Sequence, residues 1–239
     1  MGRADGEIDP RLATPEEPMA VTTPVSVLSE KIRGCKALAF DFDGTLVDSN
    51  PIKRGAFDIC FSEYSEHAEA IRDYCSRFNH TPRWEKFQYV VEKILKQPYT
   101  EERSRELHKR YEDATTRQVI ETPEIPGAMD FLKSLRSCPV LLLSSTPHPI
   151  LMDILKARGM TSFFAGIQGA PVNKAEWLRQ YRETQRLQPE NLLFFGDTPE
   201  DAAAARQAGW TFVAVANPQI QDGAVCYLDN YRTLELPHP

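Results

Sequence analysis

Two carboxylates stand two positions apart in Asp41-Phe42-Asp43-Gly44-Thr45, directly after the apolar run Ala37-Leu38-Ala39-Phe40. On an extended chain, side chains two apart point the same way, so both carboxylates face one site. Like charges that close are costly unless a cation lies between them or one keeps its proton, and a site of oxygen ligands suits Mg²⁺. Three later stretches bring further polar groups to comparable places. Val140-Leu141-Leu142-Leu143 leads into Ser144-Ser145-Thr146-Pro147, where the Ser144 hydroxyl and the next backbone N–H groups could donate to a phosphoryl oxygen. Lys174 follows Gly169-Ala170-Pro171-Val172-Asn173 and opens a helical stretch, placed to bridge a carboxylate and a phosphate. Phe194-Phe195-Gly196-Asp197-Thr198-Pro199-Glu200-Asp201 sets acidic residues at a strand-to-helix turn. There Asp197 reads as a metal ligand, while Glu200 and Asp201 also suit a first helical turn as favourable charges. Taken singly, each has a plainer reading: an Asp-Gly turn, an ordinary Ser/Pro loop, a solvated lysine.

The elements that must position these groups can be read from periodicity. Short apolar runs over residues 36–42, 139–144, 192–196 and 211–215 read as buried strands. Helix-like sequence separates the last three, over residues 149–158, 173–186 and 199–208, the last closed by Gly209. Strands alternating with helices imply an α/β fold with a parallel sheet, whose carboxyl edge is where such sheets bind ligands. Between the first two strands, apolar residues follow helical spacing: Trp84, Phe87, Val90, Val91, Ile94 and Leu95 on one face, and Ile52, Ala56, Ile59 and Cys60 after an Asn50-Pro51 helix start. Leu107, Tyr111, Ala114 and Thr115 mark a further helix. The expected organisation is an N-terminal arm over 1–30, rich in proline and acidic residues, a core over 31–48 and 126–239, and a helical insert over 49–125.

Composition narrows the classes of function. At 239 residues and 41% apolar, the chain is large enough for a real core. A net charge of −6 removes the broad positive field that nucleic acid attracts. No apolar stretch reaches the length of a membrane span. The opening residues, with Arg3, Asp5, Glu7, Asp9 and Arg11, show no apolar secretory stretch, and Gly6 breaks the myristoylation pattern. Five widely spaced cysteines without a C-x-x-C pair read as reduced core thiols. The five histidines form no metal-binding spacing, His148 alone being placed to line a site near Ser144. The expectation is a cytoplasmic protein with no nucleic-acid or membrane partner.

The order Asp41 and Asp43, Ser144, Lys174, then Asp197 and Asp201 resembles the four motifs of the haloacid dehalogenase superfamily. The resemblance spans about residues 36–216, and the pair Asp-Phe-Asp-Gly-Thr-Leu-Val-Asp-Ser and Gly-Asp-Thr-Pro-Glu-Asp makes it highly specific. It implies a Rossmann-like core and a helical cap of the type found in phosphoglycolate phosphatase and β-phosphoglucomutase relatives. It further implies that Asp41 is a nucleophile forming an aspartyl phosphate, that Asp43 is the general acid and base, and that Ser144 and Lys174 hold phosphoryl oxygens. Mg²⁺ would be held by Asp41, the Asp43 carbonyl, Asp197 and Asp201. Substrate contacts are expected at Thr45 and Ser145. In the insert, Thr81-Pro82-Arg83-Trp84-Glu85-Lys86 is similar to a substrate-specificity loop, so Arg83 and Lys86, with Lys53 and Arg54, are candidates to bind a second anionic group of the substrate. A solvated helix start with Trp84 and Phe87 packed inward is the alternative there. The implied activity is a phosphatase on a small phosphorylated metabolite, such as a sugar phosphate or a phosphorylated short acid. A phosphomutase, which in this family carries His where Lys53 stands, and a non-catalytic phosphate receiver are the alternatives.

Overall fold

The computed structural model describes residues 24–78, 81–135, 138–220, 224 and 226–234. Among them, six strands form one parallel sheet in the order β3-β2-β1-β4-β5-β6: β1 Ala37–Phe40, β2 Val140–Pro147, β3 Gly166–Ala170, β4 Leu192–Gly196, β5 Thr211–Val215 and β6 Cys226–Leu228. Central β1, paired with β2 and β4, is buried along its whole length, which is why its sequence is an unbroken apolar run. Its residues alternate between two cores. Leu38 and Phe40 join Leu142, Phe195 and Val213 on one face, and Ala37 and Ala39 join Leu141, Phe194 and Phe212 on the other. Helices α1 Val25–Gly34, α6 Ala128–Ser134 and α7 His148–Ala157 supply residues to the first core. Helices α8 Lys174–Thr184 and α9 Pro199–Ala208 supply the second. The α9 boundaries match the sequence pattern, with Thr198 in a capping box and Gly209 at φ 73° ending the helix.

The four strongest apolar runs are all strands, and the structure adds two at the sheet's edges. β3 and β6 are short, and Gly-Ile-Gln-Gly-Ala carries little apolar signal because an edge strand need not be buried on both faces. The N-terminal arm needs correction from residue 25 onward. Val25–Gly34 is helical, with Leu28 and Ile32 buried against the sheet, an amphipathic stripe that proline-rich neighbours obscure; residues 1–23 lie outside the described residues.

Between β1 and β2 the insert comprises α2 Asn50–Cys60, α3 Ala68–Arg77, α4 Arg83–Tyr89 and α5 Glu101–Glu121, with α4 running on into a π-helical turn, Val90–Ile94. It has its own apolar centre, built on Phe57, Phe61, Phe87, Val90, Leu107 and Tyr111. Two residues expected inside it are not. Ile59 is 50% and Trp84 52% exposed. In α2 the buried stripe runs through Ala56, Phe57 and Cys60, leaving Ile59 off it, and Trp84 stands in the first turn of α4, ahead of the inner face formed by Phe87, Val90, Val91 and Leu95. All five cysteines are unpaired, and burial pushes the Cys35 and Cys60 thiols up to about 12, which keeps them protonated.

The two chain crossings into the insert lie side by side. Val47 bridges Glu124 antiparallel, the Asp48 N–H donates to the Pro123 carbonyl at 3.0 Å, and the Ile125 N–H donates to the Leu46 carbonyl at 3.0 Å. Arg158, following α7, fastens this junction from the core. One guanidinium nitrogen donates to the carbonyls of Val119, Ile120 and Thr122, each at 2.8 Å, and the other pairs with Glu124 at 2.7 Å. The last carbonyls of α5 have no partner within their own helix, so Arg158 satisfies acceptors that would otherwise be orphaned. Its side chain is 5% exposed. Arg158→Ala is expected to cost about 2–3 kcal/mol in urea unfolding, and a loss below about 0.5 kcal/mol, the range of an ordinary surface change, would contradict this account.

Candidate active site

Asp41 stands one residue beyond β1, its N–H donating to the Phe195 carbonyl at 2.8 Å and so extending the strand ladder to the carboxyl edge. Phe42 is fully buried, which leaves Asp41 and Asp43 on the other side of the chain. The turn that follows needs Gly44, at φ +77°: a Cβ there would collide with the side chains of Asn50 and Asp197. Asp197 ends β4 on the neighbouring strand, and Asp201 is fixed in the first turn of α9, where Thr198 donates to it at 2.7 Å. One oxygen from each of Asp41, Asp197 and Asp201 lies within 4.8 Å of the others, all three residues buried. Oxygen-only ligands at this spacing fit a hard divalent cation.

Lys174, the first residue of α8, answers part of this negative charge. Its ammonium donates to Asp41 at 2.6 Å and to Asp201 at 2.7 Å. Burial works against that charge, yet Asp201 and Asp41 more than offset it and hold Lys174 above its ordinary value. One lysine does not balance three buried carboxylates. Burial pushes the Asp41 carboxyl up to about 7, with Lys174 pulling against it and Asp201 and Asp43 adding to the rise. Burial likewise raises Asp197 well above the usual carboxylate range, and Asp41 and Asp201 add to it.

Asp43 sits in the opposite setting. Ser49 donates to one oxygen at 2.7 Å, Ser144 and Thr146 donate to the other at 3.2 and 3.0 Å, and the Lys53 ammonium pairs with it. Burial would raise this carboxyl, but Lys53 and the hydroxyl donors bring it below the usual carboxylate value. Two carboxylates two residues apart are thus held in contrasting states, Asp41 drawn toward its protonated form and Asp43 kept ionised.

Asp41, Asp43, Lys174, Asp197 and Asp201 converge at the carboxyl edge, with Ser144 against Asp43. The other expected contacts are placed differently. The Thr45 hydroxyl is buried and donates to Asp197 at 3.3 Å, so it faces a metal-site carboxylate. Ser145 is exposed. Lys53 is engaged by Asp43 and by Thr146 at 2.9 Å. Arg83 pairs with Glu112 at 2.9 Å. Lys86 is 5% exposed, donates to the Cys75 carbonyl at 3.4 Å and lies 5.1 Å above the Phe57 ring. His148 accepts from the Gly169 N–H at 3.2 Å through Nδ1.

Several supporting residues were not read from sequence. Asn50, expected as a helix cap, lies inside α2 with Ser49 at the cap position, and its amide donates to Asp197 at 2.7 Å. Asn217 donates to the Asp197 carbonyl at 2.8 Å. Thr146, two positions past Ser144, carries the only visible hint, since alternate residues of an extended chain share a face. Because cation binding requires deprotonated carboxylates and Asp41 holds its proton to about 7, added Mg²⁺ should raise Tm more at about pH 8 than at about pH 5.5. Equal shifts at the two pH values would contradict the assignment. Gly44→Ala, which displaces Asn50 and Asp197, should largely abolish the Mg²⁺-dependent rise in the same melts.

Comparison with known proteins agrees with this geometry. The haloacid dehalogenase-like hydrolase family profile matches residues 35–209. Phosphoglycolate phosphatase of Synechococcus elongatus is 30% identical over 184 residues, covering 75% of this chain and 83% of the relative. Phosphoglycolate phosphatase of Neisseria gonorrhoeae is 25% identical over 208 residues, covering 79% and 83%. Among solved structures, CbbY from Rhodobacter sphaeroides in complex with Xylulose-(1,5)bisphosphate shares the fold at a TM-score of 0.66 and 18% identity, over 84% of this chain and 96% of that one. With the profile covering β1 to β4, the insert and every residue of the carboxylate cluster, the chain belongs to the haloacid dehalogenase-like hydrolases.

Proposed function

We propose that the protein is a Mg²⁺-dependent phosphatase that hydrolyses a small phosphorylated metabolite through an aspartyl-phosphate intermediate. The observation that carries this reading is the contrast between Asp41, paired with Lys174, and Asp43, held by Lys53 and three hydroxyls. The Lys174 ammonium at 2.6 Å favours the ionised Asp41 that attack on phosphorus requires, and Asp43 is held apart from it by its own cation and hydroxyls as the group that takes up and releases a proton.

In the first half-reaction an Asp41 carboxylate oxygen forms a bond to phosphorus while the bond from phosphorus to the leaving oxygen breaks. Asp43, ionised while Lys53 holds it, first takes a proton from solvent as Lys53 moves away and then gives that proton to the leaving oxygen. In the second, water attacks the phosphorus of the aspartyl phosphate, Asp43 takes the water's proton, and Asp41 is released with inorganic phosphate. Lys174 orients Asp41 and holds a phosphoryl oxygen, and Ser144 lies beside Asp43 to donate to another. Asp41, Asp197 and Asp201, with the Asp43 carbonyl, would hold Mg²⁺, which would neutralise charge on the phosphoryl oxygens. The helical insert acts as a lid that excludes water from the first step. Since Lys53 belongs to α2 of that lid, the lid's position sets how strongly Asp43 is held in its ionised form.

Phosphate release should depend on Mg²⁺ and stop with EDTA. Asp41→Asn and Asp43→Asn should each lower kcat by at least about a thousandfold, in proteins whose melting curves match the wild type. Turnover that survives in Asp41→Asn would exclude the covalent route.

A further inference from the structure

The side of the site where a leaving group would lie is built by the insert. Lys53 of α2 touches Asp43, and its backbone carbonyl accepts from the Tyr111 hydroxyl at 3.2 Å. The Arg83 guanidinium lies 5.1 Å above the centre of the Tyr111 ring. Arg83 is therefore one aromatic ring away from the residues around the proton carrier, and the charge on Asp43 reaches that far, adding to the rise that burial gives the Tyr111 hydroxyl. Tyr111 itself is buried in the apolar centre of the insert, so the partly exposed groups beyond it that an extended leaving group could meet are Arg83 and Glu112.

The cations on this side are already matched. Arg83 gives its guanidinium to Glu112 at 2.9 Å, the two side chains being 22% and 33% exposed. Lys53 is bound to Asp43 and Thr146. Lys86 points into the insert, toward the Cys75 carbonyl and the Phe57 ring. Arg54 is exposed, where solvent and salt weaken its pull. A carboxylate brought to Arg83 would have to displace Glu112, exchanging one ion pair for another and placing two carboxylates side by side. A hydroxyl meets no such opposition, because it can donate to Glu112 and accept from Arg83 together.

Resting on the phosphatase reading above, we infer that the preferred substrate is the phosphate ester of an uncharged, hydroxyl-bearing alcohol such as a sugar. In that reading Glu112 is a specificity-determining residue that rejects esters of carboxylate-bearing alcohols by keeping Arg83 occupied.

The test uses two esters that differ in this one feature, 2-phosphoglycolate and 2-hydroxyethyl phosphate, with aldose phosphates alongside, on the full chain with Mg²⁺. The wild type should favour 2-hydroxyethyl phosphate over 2-phosphoglycolate by about tenfold in kcat/KM. Glu112→Gln should move that ratio about tenfold toward 2-phosphoglycolate, chiefly through KM. The double variant Glu112→Gln with Arg83→Leu should lose the gain, which separates unmasking of Arg83 from general loosening of the insert. A wild type that prefers 2-phosphoglycolate, an unmoved ratio in Glu112→Gln, or a gain that persists without Arg83 would each overturn the inference while leaving the phosphatase reading in place. A preference for 2-phosphoglycolate lost in Arg54→Ala would overturn it in favour of Arg54 as the anion's partner. Absence of turnover on every ester would overturn the phosphatase reading, and this inference with it.

Discussion

Gathering buried carboxylates at one sheet edge is the constraint around which this molecule is arranged. Asp41, Asp197 and Asp201 repel one another in a setting that water does not screen, and Lys174 is the cation placed among them. Nearly every local feature of the edge can be traced to that repulsion. Thr45 and Asn50 hold Asp197, the capping box of α9 fixes Asp201, and a glycine stands at position 44 because no side chain fits between Asn50 and Asp197. The sheet supplies what these contacts alone lack, a rigid frame: β1 and β4 are locked in register, with Phe40 stacked on Phe195 at 4.7 Å just behind the acidic residues. Burial and mutual repulsion raise the Asp41 and Asp197 carboxyls above the usual carboxylate range.

The core of the fold and the acidic half of the site were legible because both are written in local pattern. Buried parallel strands are unbroken apolar runs, and Asp41, Asp43, Lys174, Asp197 and Asp201 fall just past such runs or at helix starts, where side-chain direction follows from the strand period and the capping preference. What stayed hidden depended on partners distant in sequence. Lys53 looks like an ordinary helix-surface lysine until α2 is laid over β2, and Arg83 looks available for an anion until Glu112 is brought to it from 29 positions away. Lys86, read as a partner for an anionic group of the substrate or else as solvated, is drawn inside by the packing of α3 and α4. Edge strands β3 and β6 were missed for a different reason, since weak burial leaves weak pattern.

A division of labour follows from where the charged pairs sit. The core holds the acidic cluster and Lys174, which in the proposed reaction meet only the phosphoryl end of a substrate. The insert contributes Lys53, Tyr111, Arg83 and Glu112 on helices that build a third apolar centre, while Val119 of α5 and Ile52 of α2 also pack into the first core of the sheet. The insert and the sheet edge are joined both by that packing and, at the site, by the contacts of Lys53 with Asp43 and Thr146.

The junction beside Arg158 governs how the insert can shift. Chain entry and exit are held side by side by the Val47 and Glu124 bridge and two flanking backbone hydrogen bonds, and Val119 of α5 is set in the first core of the sheet. Two crossings fastened together make a seam rather than a loose tether, so a displacement of the insert would be felt at Lys53 and, through it, at Asp43.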